Sequence, residues 1–393
     1  MRAAVFISPH GFGHAGRAAA VLEALARKRE MAFELVTTVP RVFFESFLDV
    51  PYRIHPLECD VGLRQSSALD INLEGTVEAL DEFRARMDGR PPGQDSLVDD
   101  AAGILEETGS SVALCDISPL GIAGAERAGV PSVLVENFTW DWIYQPFQEE
   151  APGLEPHREW LRRIYERADL RLQPAPVARP HPRALPAPPV ARPPRKSRTE
   201  VREELGIGLG EPVVLVTMGG LGQDLPFLTR LEDAGATFLV TGTREGGRRG
   251  NLVRFRQGDL VYLPDLIAAS DLVVGKLGYS TVAEVWLQDR PFLYVANDRF
   301  REIGVLRSFV DRELEAEEMS REAFTSGRWL EGLEERLAGS SSGSPGGASD
   351  RAGEGHRSPG PGGAPWPGST EPPGRRSGAH VVADHVLGMV DGS

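Results

Sequence analysis

Long hydrophobic runs are missing from this chain. No stretch of about 18 apolar residues occurs in its 393 residues, so no membrane-spanning helix is expected. Cysteine is scarce: Cys59 and Cys115 are the only two, too few for a disulfide framework or a cysteine metal cluster. Basic charge is in deficit, with 43 Lys and Arg against 57 Asp and Glu and a net charge of -14. That balance argues against nucleic acid, whose phosphates need a basic surface, and against anchoring to an anionic membrane. The opening MRAAVFISPH lacks the basic flank and apolar length of a secretory signal and reads as a first β-strand. A cytoplasmic protein is the expectation. What is present is a hydrophobic fraction of 41%, enough for real cores, on a chain long enough for two domains.

The pattern along the chain alternates short apolar runs with segments of helical spacing. Ala3 to Ser8, Phe33 to Thr37, Val112 to Cys115 and Ser132 to Val135 read as strands. Ala15 to Arg27, Val77 to Met87, Leu97 to Glu107 and Ile122 to Ala128 read as helices. The second half repeats this, with strands at Val213 to Thr217, Thr237 to Val240, Leu272 to Val274 and Phe292 to Val295 and helices at Val282 to Leu287 and Ile303 to Phe309. Such alternation predicts an α/β protein with mostly parallel sheets covered on both faces. Residues 174–194 hold nine prolines and no glycine, which predicts a stiff extended connection. In residues 339–378, Gly, Ser and Pro make up 27 of 40 positions and Val, Ile, Leu, Met and Phe are absent, which predicts disorder. His380 to Met389 again has helical spacing. The expected division is therefore 1–172 and 198–338 as two Rossmann-like domains, 173–197 as the connection, 339–378 as a disordered insertion and 379–390 as a closing helix.

Each half carries a glycine turn between a strand and a helix. Gly11, Gly13 and Gly16 have the spacing of a dinucleotide fingerprint, but Thr37 and Thr38 stand where its acidic residue belongs, so a dinucleotide site is not supported. The turn still suits an anion, because glycine lets the backbone approach closely and free N–H groups open the helix. His14 sits at its mouth, either facing a substrate or capping the helix. Gly219, Gly220 and Gly222 form the second turn, with a compact structural turn as the alternative. The segment from Gly275 through Lys276, Gly278, Ser280 and Thr281 to Glu284 follows a strand and opens a helix. Ser280 or Thr281 can cap that helix, and Glu284 can either accept hydrogen bonds from a ribose diol or serve as a first-turn glutamate. Asn137, Trp140, Asp141, Trp142 and Tyr144 form a dense aromatic and polar cluster. It suits either a sugar acceptor or packing between domains.

The ordered set GFGHAGR, NFTWDWIY, KSRTEVREELGI and PDLIAASDLVVGKLGYSTVAE resembles the N-terminal glycosyltransferase-like region of plant L-arabinokinase and its bacterial stand-alone relatives. It is more distantly similar to the GT-B glycosyltransferases, including the N-acetylglucosaminyltransferase that makes lipid II. The likeness runs from about residue 3 to about residue 312, with the 379–390 helix as its closing element. It implies a GT-B architecture, two Rossmann-like domains with a nucleotide-sugar in the cleft. By the same resemblance Gly219, Gly220 and Gly222 match the phosphate-side loop, Lys276, Gly278, Ser280 and Thr281 the second phosphate-side turn, and Glu284 the ribose carboxylate. Glu302 falls where such enzymes contact the sugar, but Ile303 replaces the glutamine of the usual pair. Gly13 is counted with the nucleotide-sugar-binding residues, while His14 lies at the place of a catalytic base and Asp116 at that of its orienting carboxylate. Asn137, Trp140 and Asp141 would lie on the acceptor side. The galactokinase-like half of arabinokinase is not in these residues, so no sugar-kinase activity is carried over.

The implied function is transfer of a sugar from a nucleoside-diphosphate donor, expected to be a UDP-sugar, to a hydroxyl acceptor. The imidazole of His14 takes the acceptor proton. Glycine-loop amides and Lys276 stabilise the departing diphosphate, with no metal or other cofactor expected. A nucleotide-sugar epimerase and a non-catalytic nucleotide-sugar-binding module are the alternatives.

Overall fold

The computed structural model describes residues 1–67, 70–89, 96–218, 225–232, 234–259, 261–341 and 375–392. The apolar runs form two seven-stranded sheets. The first has the spatial order Tyr52–His55, Ala32–Val36, Arg2–Ile7, Ala113–Asp116, Ser132–Val135, Leu170–Pro174, Leu185–Ala187, and every neighbouring pair is parallel. The second runs Gly247–Arg249, Leu252–Arg256, Thr237–Thr243, Val213–Thr217, Leu272–Lys276, Phe292–Val295, Ala316–Met319. It is parallel except for the antiparallel edge strand Gly247–Arg249. The central strands are buried on both faces, as continuous Val, Leu and Ile runs require when helices cover a parallel sheet.

In both sheets the chain order reverses beside the first strand of the domain. Arg2–Ile7 lies between Ala32–Val36 and Ala113–Asp116, and Val213–Thr217 lies between Thr237–Thr243 and Leu272–Lys276. The loops leaving the two central strands therefore diverge and leave a crevice at the carboxyl ends, where ligands of such sheets bind.

The proline-rich segment differs from the plain connection expected. The first sheet continues past residue 172, through Leu170–Pro174 to an edge strand at Leu185–Ala187. Pro186 is tolerated there because an edge strand needs hydrogen bonds on one side only. The chain then crosses to the second domain through residues 188–197.

The segment expected to be disordered, 339–378, is ordered at both of its ends. A helix runs Leu333–Ser341, and residues 375–378 are packed. Ser377 is buried, with its hydroxyl donating to Ala191 O at 2.7 Å and accepting from Ala191 N at 3.1 Å. Residues 342–374 lie outside the described residues. The helix Ala379–Asp391 returns to the first domain. It buries Val382, Ala383 and Val386 in that domain's core and pairs Asp384 with Lys28 and Asp391 with Arg29.

Candidate active site

The helix Phe12–Lys28 begins at Gly11, whose φ of 81° suits glycine, and no side chain caps it. Its first turn carries His14, and Arg17 follows one turn later on the same face. Asp116 ends the neighbouring strand, in register with Ile7 of the central strand. The residue after it, Ile117, is a fully buried β-branched residue at φ 46°, a strained backbone of the kind that clusters at functional sites. Sheet register thus brings His14 and Asp116 together from 102 residues apart. His14 Nδ1 lies 2.7 Å from Asp116 Oδ1.

Asp116 is 5% exposed, and its carboxylate is gripped from a second direction. Arg17 Nε donates to Oδ2 at 2.7 Å and Arg17 Nη2 donates to Oδ1 at 2.7 Å. Burial works against the charged carboxylate, but the Arg17 guanidinium and the His14 ring prevail and hold it below the ordinary aspartate value. An ionised carboxylate only accepts, so the proton in the His14–Asp116 contact belongs to Nδ1. Nε2 is left as the proton-accepting nitrogen. His14 does not cap its helix.

His14 lines a cavity of about 770 Å³ between the two domains. The first domain contributes Pro9 to His14, Arg17, Val39, Arg64, Asn137 and Phe138 to its wall. The second contributes Lys276 to Thr281, Phe300, Glu302 and Ile303. The two walls meet closely: a Cβ added to Gly13 would stand 2.6 Å from Ser280 Oγ. The helix Tyr279–Leu287 starts at Gly278 with no side-chain cap. Ser280 and Thr281 therefore do not cap it, contrary to expectation, but lie inside its first turn on the cavity wall. Its leading N–H groups have no side-chain cap, an arrangement that suits an anion. Lys276, at the end of the adjacent strand, has no ion pair among the described residues and lies 5.2 Å from the Phe300 ring centroid. Burial lowers its pKa, with Glu302 acting the other way. Burial raises that of Glu302, opposed by Lys276, and its Oε2 has no hydrogen-bond partner among the described residues.

Three expected site residues are placed elsewhere. Glu284 is 2% exposed and is not on the cavity wall. Its Oε1 accepts from Arg192 Nε at 2.8 Å and Nη2 at 2.7 Å, because the chain crossing between domains lays that arginine over the helix. Trp140 is 2% exposed and donates its Nε1–H to Asp60 at 2.8 Å. Asp141 is 2% exposed and pairs with Arg179. Both are fixed inside the protein rather than offered to an acceptor. The NFTWDWIY segment serves instead as packing between domains: Arg301 of the second domain lies 4.1 Å from the Trp142 ring centroid and donates to Trp142 O at 2.5 Å. Asn137 is on the cavity wall, but its amide is committed to Arg17 and to the carbonyls of Pro174 and Pro176. Gly219, Gly220 and Gly222 lie outside the described residues.

Sequence reasoning gave no separate role to Arg17 or His10. The three-residue spacing of His14 and Arg17 was a usable signal for Arg17. His10 lines the cavity edge-on to Trp140, with centroids 5.0 Å apart. Burial first, then His14, Lys276 and Arg64, lower its pKa to about 3, so it is neutral at physiological pH. Among the described residues no group of His, Cys, Asp and Glu is arranged to hold a metal ion, and no helix is long and apolar enough to cross a membrane.

With this geometry in place, the likeness to known proteins can be located. No family model matches the chain. It is 29% identical over 343 residues to L-arabinokinase of Arabidopsis thaliana, covering 85% of this chain. The chain spans only about a third of that relative, 32% of its length. Among solved structures it is similar to the spinosyn forosaminyltransferase SpnP, with a TM-score of 0.56 and 15% identity over 87% of this chain and 93% of that one. It is similar to the calicheamicin glycosyltransferase CalG4, with a TM-score of 0.54 and 14% identity over 86% and 90% of the two chains. The glycosyltransferase SsfS6 of Streptomyces sp. SF2575, complexed with thymidine diphosphate, gives a TM-score of 0.54 at 13% identity over 87% and 96%. The chain is therefore a GT-B, glycosyltransferase-like protein in fold.

Proposed function

We propose that this protein is a glycosyltransferase that moves a sugar from a nucleoside-diphosphate donor, a uridine or thymidine diphosphate sugar, to a hydroxyl acceptor, with no bound metal ion. The observation that carries this reading is the His14–Asp116 pair, set on one wall of an interdomain cavity opposite an uncapped helix N-terminus with Lys276 beside it. One wall is built for proton transfer and the other for an anion. The thymidine diphosphate bound by a protein of the same fold is in keeping with such a donor.

In this reading the diphosphate lies against the amides of the Tyr279–Leu287 helix and Lys276. The sugar faces Glu302, whose unpartnered oxygen accepts a hydrogen bond from one of its hydroxyls. An acceptor hydroxyl enters beside His14. As its oxygen bonds to the anomeric carbon, its proton passes to His14 Nε2 and the electron pair of the anomeric C–O bond leaves with the diphosphate. Asp116 stabilises the resulting imidazolium through Nδ1–H. The helix N-terminus and Lys276 stabilise the charge growing on the leaving group.

The test begins with thermal-shift screening against uridine and thymidine diphosphate sugars, since a ligand of the native state raises the melting temperature. Each donor that binds is then assayed for hydrolysis and for transfer to a panel of hydroxyl acceptors, with wild type and His14→Ala in parallel. His14→Ala is expected to lower turnover by about 10²–10⁴-fold while the donor still binds. A donor that binds tightly but is never cleaved would make the chain a binding module instead.

A further inference from the structure

We propose that Arg17 is a positioning residue of the base, one that aims His14 by fixing Asp116. This inference rests on the reading of His14 and Asp116 given above. A carboxylate beside a histidine can rotate about its last bond and offer either oxygen, in or out of the imidazole plane. Here that freedom is removed. The Arg17 fork takes Oδ2 through Nε and Oδ1 through Nη2, each at 2.7 Å, so the carboxylate plane follows the guanidinium plane. Arg17 is itself held, because its Nη1 donates to Asn137 Oδ1. Asn137 in turn donates to Pro174 O at 2.5 Å and Pro176 O at 3.2 Å. The chain His14, Asp116, Arg17, Asn137 thus ends on backbone and not on a mobile side chain.

The same fork decides which nitrogen of His14 carries the proton. Arg17 Nη2 also lies 3.3 Å from His14 Nδ1. Arginine has no acceptor and Nδ1–H is a donor, so both groups point their protons at the shared Oδ1. Burial alone would favour a protonated Asp116, and a protonated carboxyl could donate to Nδ1 and move the imidazole proton to Nε2. That tautomer cannot accept a proton from the cavity. Arg17 excludes it by keeping Asp116 ionised. Arg17 is 8% exposed, and its three bonded nitrogens are spent on Asp116 and Asn137.

The test uses the full chain with ¹⁵N-labelled histidine and needs no substrate for its first readout. At a pH where histidine is neutral, the His14 imidazole of the wild type is expected to show Nδ1 protonated and Nε2 bare. Arg17→Met is expected to give a mixture of tautomers. Its turnover of any nucleotide-sugar cleaved by the wild type should fall by about 10²-fold, the lower end of what a positioned base supplies. The KM for the donor should stay within about threefold, as expected when an interaction made only in the transition state is lost. Arg17→Lys keeps the charge but not the fork, and should recover part of the turnover but not all. A wild-type tautomer with wild-type turnover in both variants, or in Arg17→Lys alone should Arg17→Met not fold, overturns the proposal. If the wild type cleaves no donor, the glycosyltransferase reading fails, while the spectra still decide whether Arg17 sets the tautomer.

Discussion

Replacing Glu284 by alanine separates two accounts of that residue. A ribose-binding carboxylate on a cavity wall would be lost at little cost to stability, with nucleotide affinity falling. The structure gives the opposite expectation. Glu284 is 2% exposed and Arg192 7% exposed, and two of the arginine's nitrogens share Glu284 Oε1. The guanidinium is also enclosed by the Phe47 and Tyr262 rings, each centroid 5.2 Å from Cζ, and by Gly16, where an added Cβ would be 3.6 Å from Nε. Glu284→Ala strands this cation away from water. Removing one partner of a buried pair costs about 3–5 kcal/mol, and the ring contacts are already made in the wild type and offer no new compensation. Removing both partners is a different matter. Arg192 Nη1 and Glu284 Oε2 have no hydrogen-bond partners among the described residues, so the pair is incompletely satisfied. Arg192→Met with Glu284→Leu should therefore recover most of the loss, to within about 1 kcal/mol of wild type. Urea unfolding followed by tryptophan fluorescence, comparing midpoints and slopes for wild type, the two single variants and the double variant, measures this. A Glu284→Ala protein within about 0.5 kcal/mol of wild type that has lost nucleotide affinity would refute the reasoning and return the carboxylate to the ribose.

Other expectations follow from the same geometry. Asp116→Asn should reduce turnover in the same direction as His14→Ala but by less, measured at saturating donor, because the amide still fits but no longer stabilises an imidazolium. Lys276→Ala should weaken donor binding by roughly 10- to 100-fold, equivalent to about 1.5–3 kcal/mol for a charged hydrogen bond, with little change in melting temperature of the free protein; calorimetry reads it. Burial raises the pKa of both Asp60 and Glu136 to about 7. Folded values above the unfolded ones mean that these two groups favour the fold below about pH 4, and that this contribution is lost as pH rises toward 7. The urea midpoint should accordingly fall over that window, and Asp60→Asn should flatten the slope; an unchanged slope would count against it. Ser377→Ala leaves the N–H and C=O of Ala191 without their partner and should cost about 1–3 kcal/mol in the same assay. Replacing 342–374 by a short Gly-Ser linker should leave the midpoint near wild type, whereas extending the replacement through 378 should not.

The central strands of the two sheets and helices such as Phe12–Lys28 and Leu97–Thr108 were legible in the sequence because each is an uninterrupted apolar run or a clear helical stripe, signals that do not need a partner to be read. Edge strands were not. Tyr52–His55 and Ala316–Met319 at the edges, and Leu252–Arg256 next to one, mix charged and apolar residues, since one side or face near an edge meets water. The extended character of the proline-rich segment followed from fixed φ values, but that Leu185–Ala187 joins the first sheet depends on where Leu170–Pro174 lies, a fact about tertiary position.

The site divides in the same way. Residue types and local order alone placed His14 and Lys276 at the mouths of strand–turn–helix units, because a glycine turn after a buried strand opens at the carboxyl end of a sheet wherever it occurs. The pairing of His14 with Asp116 was suggested by resemblance, and it is realised by a register between strands more than 100 residues apart. Which carboxylates face the cavity was decided only by the tertiary structure. Glu284 and Asp141 have the residue type and the spacing of site residues, yet a partner arriving from elsewhere, Arg192 over the one and Arg179 over the other, turns each into part of the framework. Arg17 went the other way, from a basic residue given no role of its own to the group that grips the Asp116 carboxylate beside His14. The local sequence fixes what a side chain is able to do; the charges brought next to it by the fold determine what remains free for a ligand.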